Sequence, residues 1–189
     1  MSSPIALFDA SVLYPAPLRD FLMYLTLTDT FRAKWSEAIH QEWIEALLRN
    51  RPDLTRTRLE RTRDLMNAHV LDAVVEGYEE LVDQLSLPDP DDRHVLAAAI
   101  KGDCDLIVTF NLKDFPDEIL ATYKIKAQHP DTFVMNLIDI APFQVIFAAS
   151  EHRQSLKNPP KSITEYLTTL EQHGLTQTVA NLRAYAPLI

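Results

Sequence analysis

Two short, uninterrupted apolar runs constrain this chain more than anything else in it: Ile5–Phe8, bounded by Pro4 and Asp9, and the largely β-branched Leu106–Val108. Between them lies Val95–Ile100, a helical stretch apolar almost all round, with Gly102 placed to end it and Asp91 placed to cap it. A strand with one wet face alternates polar and apolar residues, whereas a strand buried on both faces reads as a continuous apolar run. A helix that is apolar all round packs on more than one side. The combination calls for a central parallel sheet flanked by helices, hence an α/β fold.

The remaining periodicities fill in the helices. Leu18, Phe21, Leu22 and Leu25 mark a first amphipathic helix. Ser36 offers an N-cap for a second, with Ile39, Trp43, Ala46 and Leu47 on its inner face. Pro52 and Asp53 are expected to open an Arg-rich helix reaching about Asn67, and 76–85 reads as a short helix. Residues 71–75 fit either a short strand or a connection. From Pro130 the pattern is helical only, over 130–139, 142–155, 162–173 and 175–185, and Ser162–Glu165 is a capping-box signature. The expected organisation is an α/β domain over 1–140 and a helical C-terminal extension over 141–189.

Composition excludes several classes. A 47% hydrophobic fraction is too high for disorder. The single cysteine, Cys104, excludes a disulfide framework and Cys-based metal clusters, and it fits a reducing, cytoplasmic setting. The N-terminal MSSPIALFDA lacks a basic region and a long apolar core, so no signal peptide is expected. No run approaches the roughly 18 apolar residues of a membrane span. The formal charge of −9 is unevenly distributed: residues 49–63 are net +4, and residues 64–105 are net −9. A basic block beside an acidic one says more about partners than the total does.

In open α/β sheets, ligands bind beyond the carboxyl ends of the strands. Asp9 directly follows the first strand, and Asn111 and Asp114 follow the second by a few residues. Asp92 lies in the first turn of the apolar helix, and Glu42 rides the second helix beside its apolar stripe. A parallel sheet can therefore bring four carboxylates to one edge. Two carboxylates about 5 Å apart repel by roughly 3 kcal/mol at an effective dielectric near 20. Either some of the four stay protonated at neutral pH, or a cation sits among them. All-oxygen, anionic ligation suits Mg²⁺ or Mn²⁺, and a hydrated ion of that kind can hold a phosphate oxygen and activate a water. Taken singly, each of these acids is more often a cap or a turn former than a ligand.

The segments LFDASVLY, the Glu of HQEWIEALL, DPDDRHVLAAAI and LIVTFNLKDF, in this order, resemble the PIN-domain nucleases, and among them the VapC-like toxin group. The resemblance covers roughly residues 4–135, with DPDDRHVLAAAI through TFNLKDF its most specific part. It implies a PIN-like fold with Asp9, Glu42, Asp92 and Asp114 as the catalytic and metal-binding acids for Mg²⁺ or Mn²⁺. It also implies Ser11, Thr109 and Asn111 as supporting residues. The implied activity is endoribonuclease cleavage leaving a 5′-phosphate and a 3′-hydroxyl. The implied partners are RNA, a cognate antitoxin and a second copy of the chain. The helical segment after 140 exceeds the compact toxin form, so the resemblance leaves a toxin–antitoxin role open.

Arg49, Arg51, Arg56, Arg58, Arg61 and Arg63 offer a phosphate-contact surface, with a solvated helix face paired to Asp53 and Glu60 as the equal alternative. Arg93, beside Asp92, is placed to touch a scissile phosphate. His40 and His94 read as structural or supporting, and Trp35 and Trp43 as core. Two rivals come from other classes. A phosphatase of the haloacid dehalogenase kind wants an Asp two residues after Asp9, where Ser11 stands. A non-catalytic PIN-like module for protein interaction or RNA binding would keep the acids without a metal response.

Overall fold

The computed structural model describes residues 3–189; Met1 and Ser2, where the signal-peptide argument begins, lie outside the described residues. In chain order the elements are β1 (Ile5–Phe8), α1 (Ala10–Leu13), α2 (Ala16–Thr26), β2 (Arg32–Lys34), α3 (Glu37–Asn50), α4 (Arg56–His69), α5 (Glu79–Val82) and α6 (Arg93–Lys101). There follow β3 (Leu106–Val108), α7 (Asp117–Leu120), β4 (Lys126–Gln128), α8 (Pro130–Ile140), α9 (Pro142–Ser155), α10 (Ile163–Gln172) and α11 (Thr176–Leu182). The strands form one parallel sheet in the order β2-β1-β3-β4. No helix among the described residues is long and apolar enough to cross a membrane.

The chain groups into two compact units: residues up to Tyr14 with Arg32–Gln128, and Pro15–Phe31 with His129–Ile189. A boundary near 140 thus falls between two helices, α8 and α9, of the second unit, and α2 belongs to that unit as well.

In the first unit β1 and β3 pair in the middle of the sheet, Ala6 with Leu106 through Phe8 with Val108. Ala6, Leu7, Phe8, Ile107 and Val108 are all buried, as a sheet covered on both faces requires. The edge strands β2, Arg-Ala-Lys, and β4, Lys-Ala-Gln, have no apolar run and were not expected. Short, lysine-bearing edges are how a sheet avoids pairing with a stranger. Residues 71–75 form a connection carrying one bridge, Trp35 to Val74, that prolongs the β2 edge.

Two helix starts differ from expectation. Thr55, not Asp53, caps α4, its hydroxyl accepting from the Arg58 N–H, while Asp53 pairs with Arg51. Asp89, not Asp91, opens the segment leading to α6: its carboxylate accepts from the Asp91 N–H, and Pro90 follows at the first helical position. A proline pre-set for the first turn, directly after an acidic cap, explains why the 3-10 turn Pro90–Asp92 precedes α6. Gly102 ends α6 as expected. A Cβ there would meet Val75 at 3.0 Å and the Ala98 carbonyl at 3.1 Å.

In the second unit, His152 of α9 stacks on Tyr24 and Phe21 of α2, and its Nδ1 lies 3.0 Å from the Tyr166 hydroxyl. Burial pushes its pKa down to about 4, so the ring is a neutral core group. Ser162 and Glu165 form the expected capping box of α10. α11 has no local side-chain cap. Buried Asp131 of α8 takes that role, accepting from the Gln177 N–H at 2.8 Å and the Thr178 N–H at 2.9 Å. Charged hydrogen bonds to orphan helix N–H groups are worth about 1.5–3 kcal/mol each at most. Asp131→Ala is therefore expected to lower unfolding free energy by about 3 kcal/mol, and Asp131→Asn by about half as much, read from urea denaturation. A loss below about 1 kcal/mol for the alanine variant would show that water replaces the cap.

Candidate active site

The ladder hydrogen bonds continue one residue past both central strands. The Asp9 N–H donates to the Val108 carbonyl and the Thr109 N–H to the Gln128 carbonyl. Asp9 and Thr109 therefore stand side by side at the carboxyl edge of the sheet, where the next turns leave it. One Asp9 oxygen accepts from the Ala10 N–H at 2.8 Å. The other accepts from the Ser11 hydroxyl at 2.6 Å and the Thr109 hydroxyl at 2.8 Å. Those hydroxyls accept in turn from the Phe110 and Asn111 N–H groups. Asp9, 4% exposed, is thus held in one orientation by a closed network.

A cleft of about 760 Å³ opens over this edge, lined by Asp9, Ser11 and Asn111 from the strand ends, Asp92 and His94 from the start of α6, and one face of α3. The structure brings Asp9, Glu42 and Asp114 into electrostatic reach of Asp92. Asp92 is pushed up to about 7, first by desolvation and then by Asp9, Asp89, Asp114 and Glu42. Asp9, Glu42 and Asp92 line the cleft; Asp114, in the 3-10 turn Leu112–Asp114, acts on Asp92 without lining it.

Glu42 is engaged by a partner that sequence reasoning underrated. His94 Nε2 lies 2.5 Å from its Oε1. Burial of the ring opposes its charge, but Glu42, with Asp9 and Asp92, outweighs burial and raises the His94 pKa. Fifty-two residues separate the two, so no spacing pattern could have revealed the pair. Tyr14, also on the cleft wall, carried no signal either.

Arg93 turns back to donate to the Pro90 carbonyl at 2.9 Å and does not line the cleft. His40 is structural: its ring links Trp43 Nε1 to the Asn67 amide oxygen, which also accepts from Trp35 Nε1. Half of the arginine block is paired. Arg51 meets Asp53, Arg56 meets Glu45 and Glu60, and Arg63 meets Glu37 and Asp64. Arg49, Arg58 and Arg61 are exposed and form no ion pair within 4 Å among the described residues.

The donor set fits a divalent cation. It is all oxygen and anionic, and desolvation with neighbouring acids raises the pKa of one member, Asp92, to about 7. Among the described residues no three His, Cys, Asp or Glu side chains converge into a ready-made cage.

A parallel sheet with an acid network at its strand ends and an open cleft above defines an α/β protein whose candidate site lies at the carboxyl edge of the sheet. Comparison with known proteins gives the family. A model described as PIN domain matches residues 6–113, more than half of the chain, and one described as VapC50 C-terminal domain matches 130–184. The chain belongs to the PIN-domain family, with a VapC50-like C-terminal segment. A stretch of 49 residues is 47% identical to the putative ribonuclease VapC50 of Mycobacterium tuberculosis (strain ATCC 25618 / H37Rv), spanning 26% of this chain and 29% of that protein. The match thus covers less than a third of the relative's length. No solved structure matches.

Proposed function

We propose that this chain is a divalent-metal-dependent endoribonuclease. The observation that carries the reading is one cleft at the carboxyl edge of the sheet lined by Asp9, Glu42 and Asp92, where desolvation first and then Asp9, Asp89, Asp114 and Glu42 raise the Asp92 pKa. The relative described as a putative ribonuclease supports the choice of RNA. Asp9 and Asp92 are the residues to hold Mg²⁺ or Mn²⁺, with Glu42 and Asp114 adding negative charge around them. Bound there, such an ion supplies Lewis-acid polarisation of a phosphodiester and a lowered pKa for the attacking water.

The chain's own residues do the rest. Ser11 and Thr109 fix the Asp9 carboxylate, so no reorganisation is needed when charge develops. Glu42, oriented by His94 through Oε1, is left its other carboxylate oxygen to position the attacking water or accept its proton. The products are a 5′-phosphate and a 3′-hydroxyl. The reading extends to the toxin of a toxin–antitoxin pair, acting in the cytoplasm with an antitoxin and a second copy as partners.

Incubating the purified chain with end-labelled single-stranded RNA tests the reading. Cleavage is expected with Mg²⁺ or Mn²⁺ and none with EDTA. RNA that is bound but left intact in Mn²⁺ would make this a non-catalytic binding module instead.

RNA affinity should depend on salt mainly through the unpaired arginines. On single strands each phosphate contact contributes about 0.7 to the log–log salt slope. Arg58→Gln with Arg61→Gln is expected to flatten that slope by roughly 1.4. Neutralising the paired Arg51 and Arg63 should change it less. Equal effects from both pairs would restore the whole block as the contact surface.

A further inference from the structure

We propose that Arg49 and Tyr14 form a subsite for a nucleotide flanking the cleaved bond, Arg49 taking its phosphate and Tyr14 its base. The proposal rests on the nuclease reading above. Ala38, Gln41, Glu42, Glu45, Ala46 and Arg49 recur at helical spacing, and all face the cleft from α3. His94 and Asp92, from the start of α6, approach this stripe at Glu42. Arg49 lies seven residues further along, about 10 Å at helical rise, and thus reaches a neighbouring phosphate rather than the scissile one.

Arg49 is also kept available. Glu45, one turn back, is hydrogen-bonded by Arg56 at 2.6 Å and by the Gln41 amide at 2.6 Å, so Arg49 acts on it through space without a direct ion pair. An exposed guanidinium at the far end of an anionic cleft is thus left without an ion pair within 4 Å. Also on the cleft wall, half-buried Tyr14 is steadied by the Asn50 amide, which donates to its hydroxyl at 3.1 Å. A cation and an aromatic ring lining one cleft, the ring held by the residue next to the cation, match one unstacked nucleotide, which a paired strand cannot offer. The subsite therefore selects single-stranded RNA.

The test is equilibrium binding of a short single-stranded oligoribonucleotide to the Asp9→Asn chain, with one linkage at a time made a neutral methylphosphonate. One linkage next to the cleavage position is expected to matter, its neutralisation weakening binding about tenfold. Arg49→Ala should cost the same tenfold on the unmodified strand and nothing further on that modified one. Arg49→Lys should recover part of the loss. Removing the adjacent base should mimic Tyr14→Ala, and Tyr14→Phe should retain binding. A scan with no such position overturns the subsite while leaving cleavage untouched. Failure of the unsubstituted chain to cut RNA overturns the nuclease reading, while the scan still reports on the subsite. If Arg49→Ala spares RNA binding and abolishes capture of an acidic peptide, the subsite belongs to a protein partner and the proposal fails.

Discussion

Asp9→Asn is expected to reduce RNA hydrolysis roughly a thousandfold while the chain stays folded, since about 4 kcal/mol of transition-state stabilisation corresponds to that factor. The substitution is nearly isosteric, and the network around Asp9 can absorb it. The amide oxygen can keep the Ala10 N–H, and the amide nitrogen can face Ser11 and Thr109. Each hydroxyl already accepts one backbone N–H and has a second lone pair to offer the new donor. The structural cost is therefore one or two rearranged hydrogen bonds, about 1–2 kcal/mol. The loss that matters is the negative charge facing the cleft, which no neighbour replaces: Glu42 is engaged by His94, and Asp92 is half protonated near neutral pH. Single-turnover kinetics alongside urea denaturation separate the two effects. A fall in rate below tenfold, with stability unchanged, would remove Asp9 from the reacting centre.

What the sequence discloses and what it hides follow from how far each interaction reaches along the chain. β1, β3 and α6 were legible because burial on both sides leaves unbroken apolar runs. The capping box at Ser162 was legible because its parts lie within one turn. β2 and β4 were not, since a three-residue edge strand need bury only its middle alanine. Asp9, Glu42, Asp92 and Asp114 could be picked out by topology and family motif, but their inequality could not. Which acid holds a proton depends on desolvation and neighbours that only the folded chain supplies. The same holds for the arginines. Glu37 and Glu45, which occupy Arg63 and Arg56, lie on another helix, so the sequence left open which cations remain free. The grouping of α2 with the C-terminal helices was hidden because a boundary read along the chain cannot show an early helix packing with late ones.

Metal affinity should fall about fivefold from pH 7 to pH 6, approach a tenfold fall per unit below that and level off above 7, a consequence of Asp92. With its carboxyl pushed up to about 7 by desolvation and then by Asp9, Asp89, Asp114 and Glu42, Asp92 binds a proton in competition with a cation below that pH. Competition of one proton with one ion makes Mn²⁺ binding roughly fiftyfold weaker at pH 5 than at pH 7. Calorimetry in buffers of different ionisation enthalpy should count about half a proton released per ion at pH 7 and nearly one at pH 6. Stability must move the opposite way in the metal-free chain. A carboxyl whose folded pKa lies above its unfolded value binds its proton more tightly in the native state, so its contribution is lost as pH rises from about 4 to about 7. Asp92→Asn should therefore raise the Tm of the metal-free chain at pH 8, remove the pH dependence of Mn²⁺ affinity and weaken binding outright. Mn²⁺ affinity that is constant between pH 5 and 8 would mean that the ion binds away from Asp92, and the cleft would then lose its role in the chemistry.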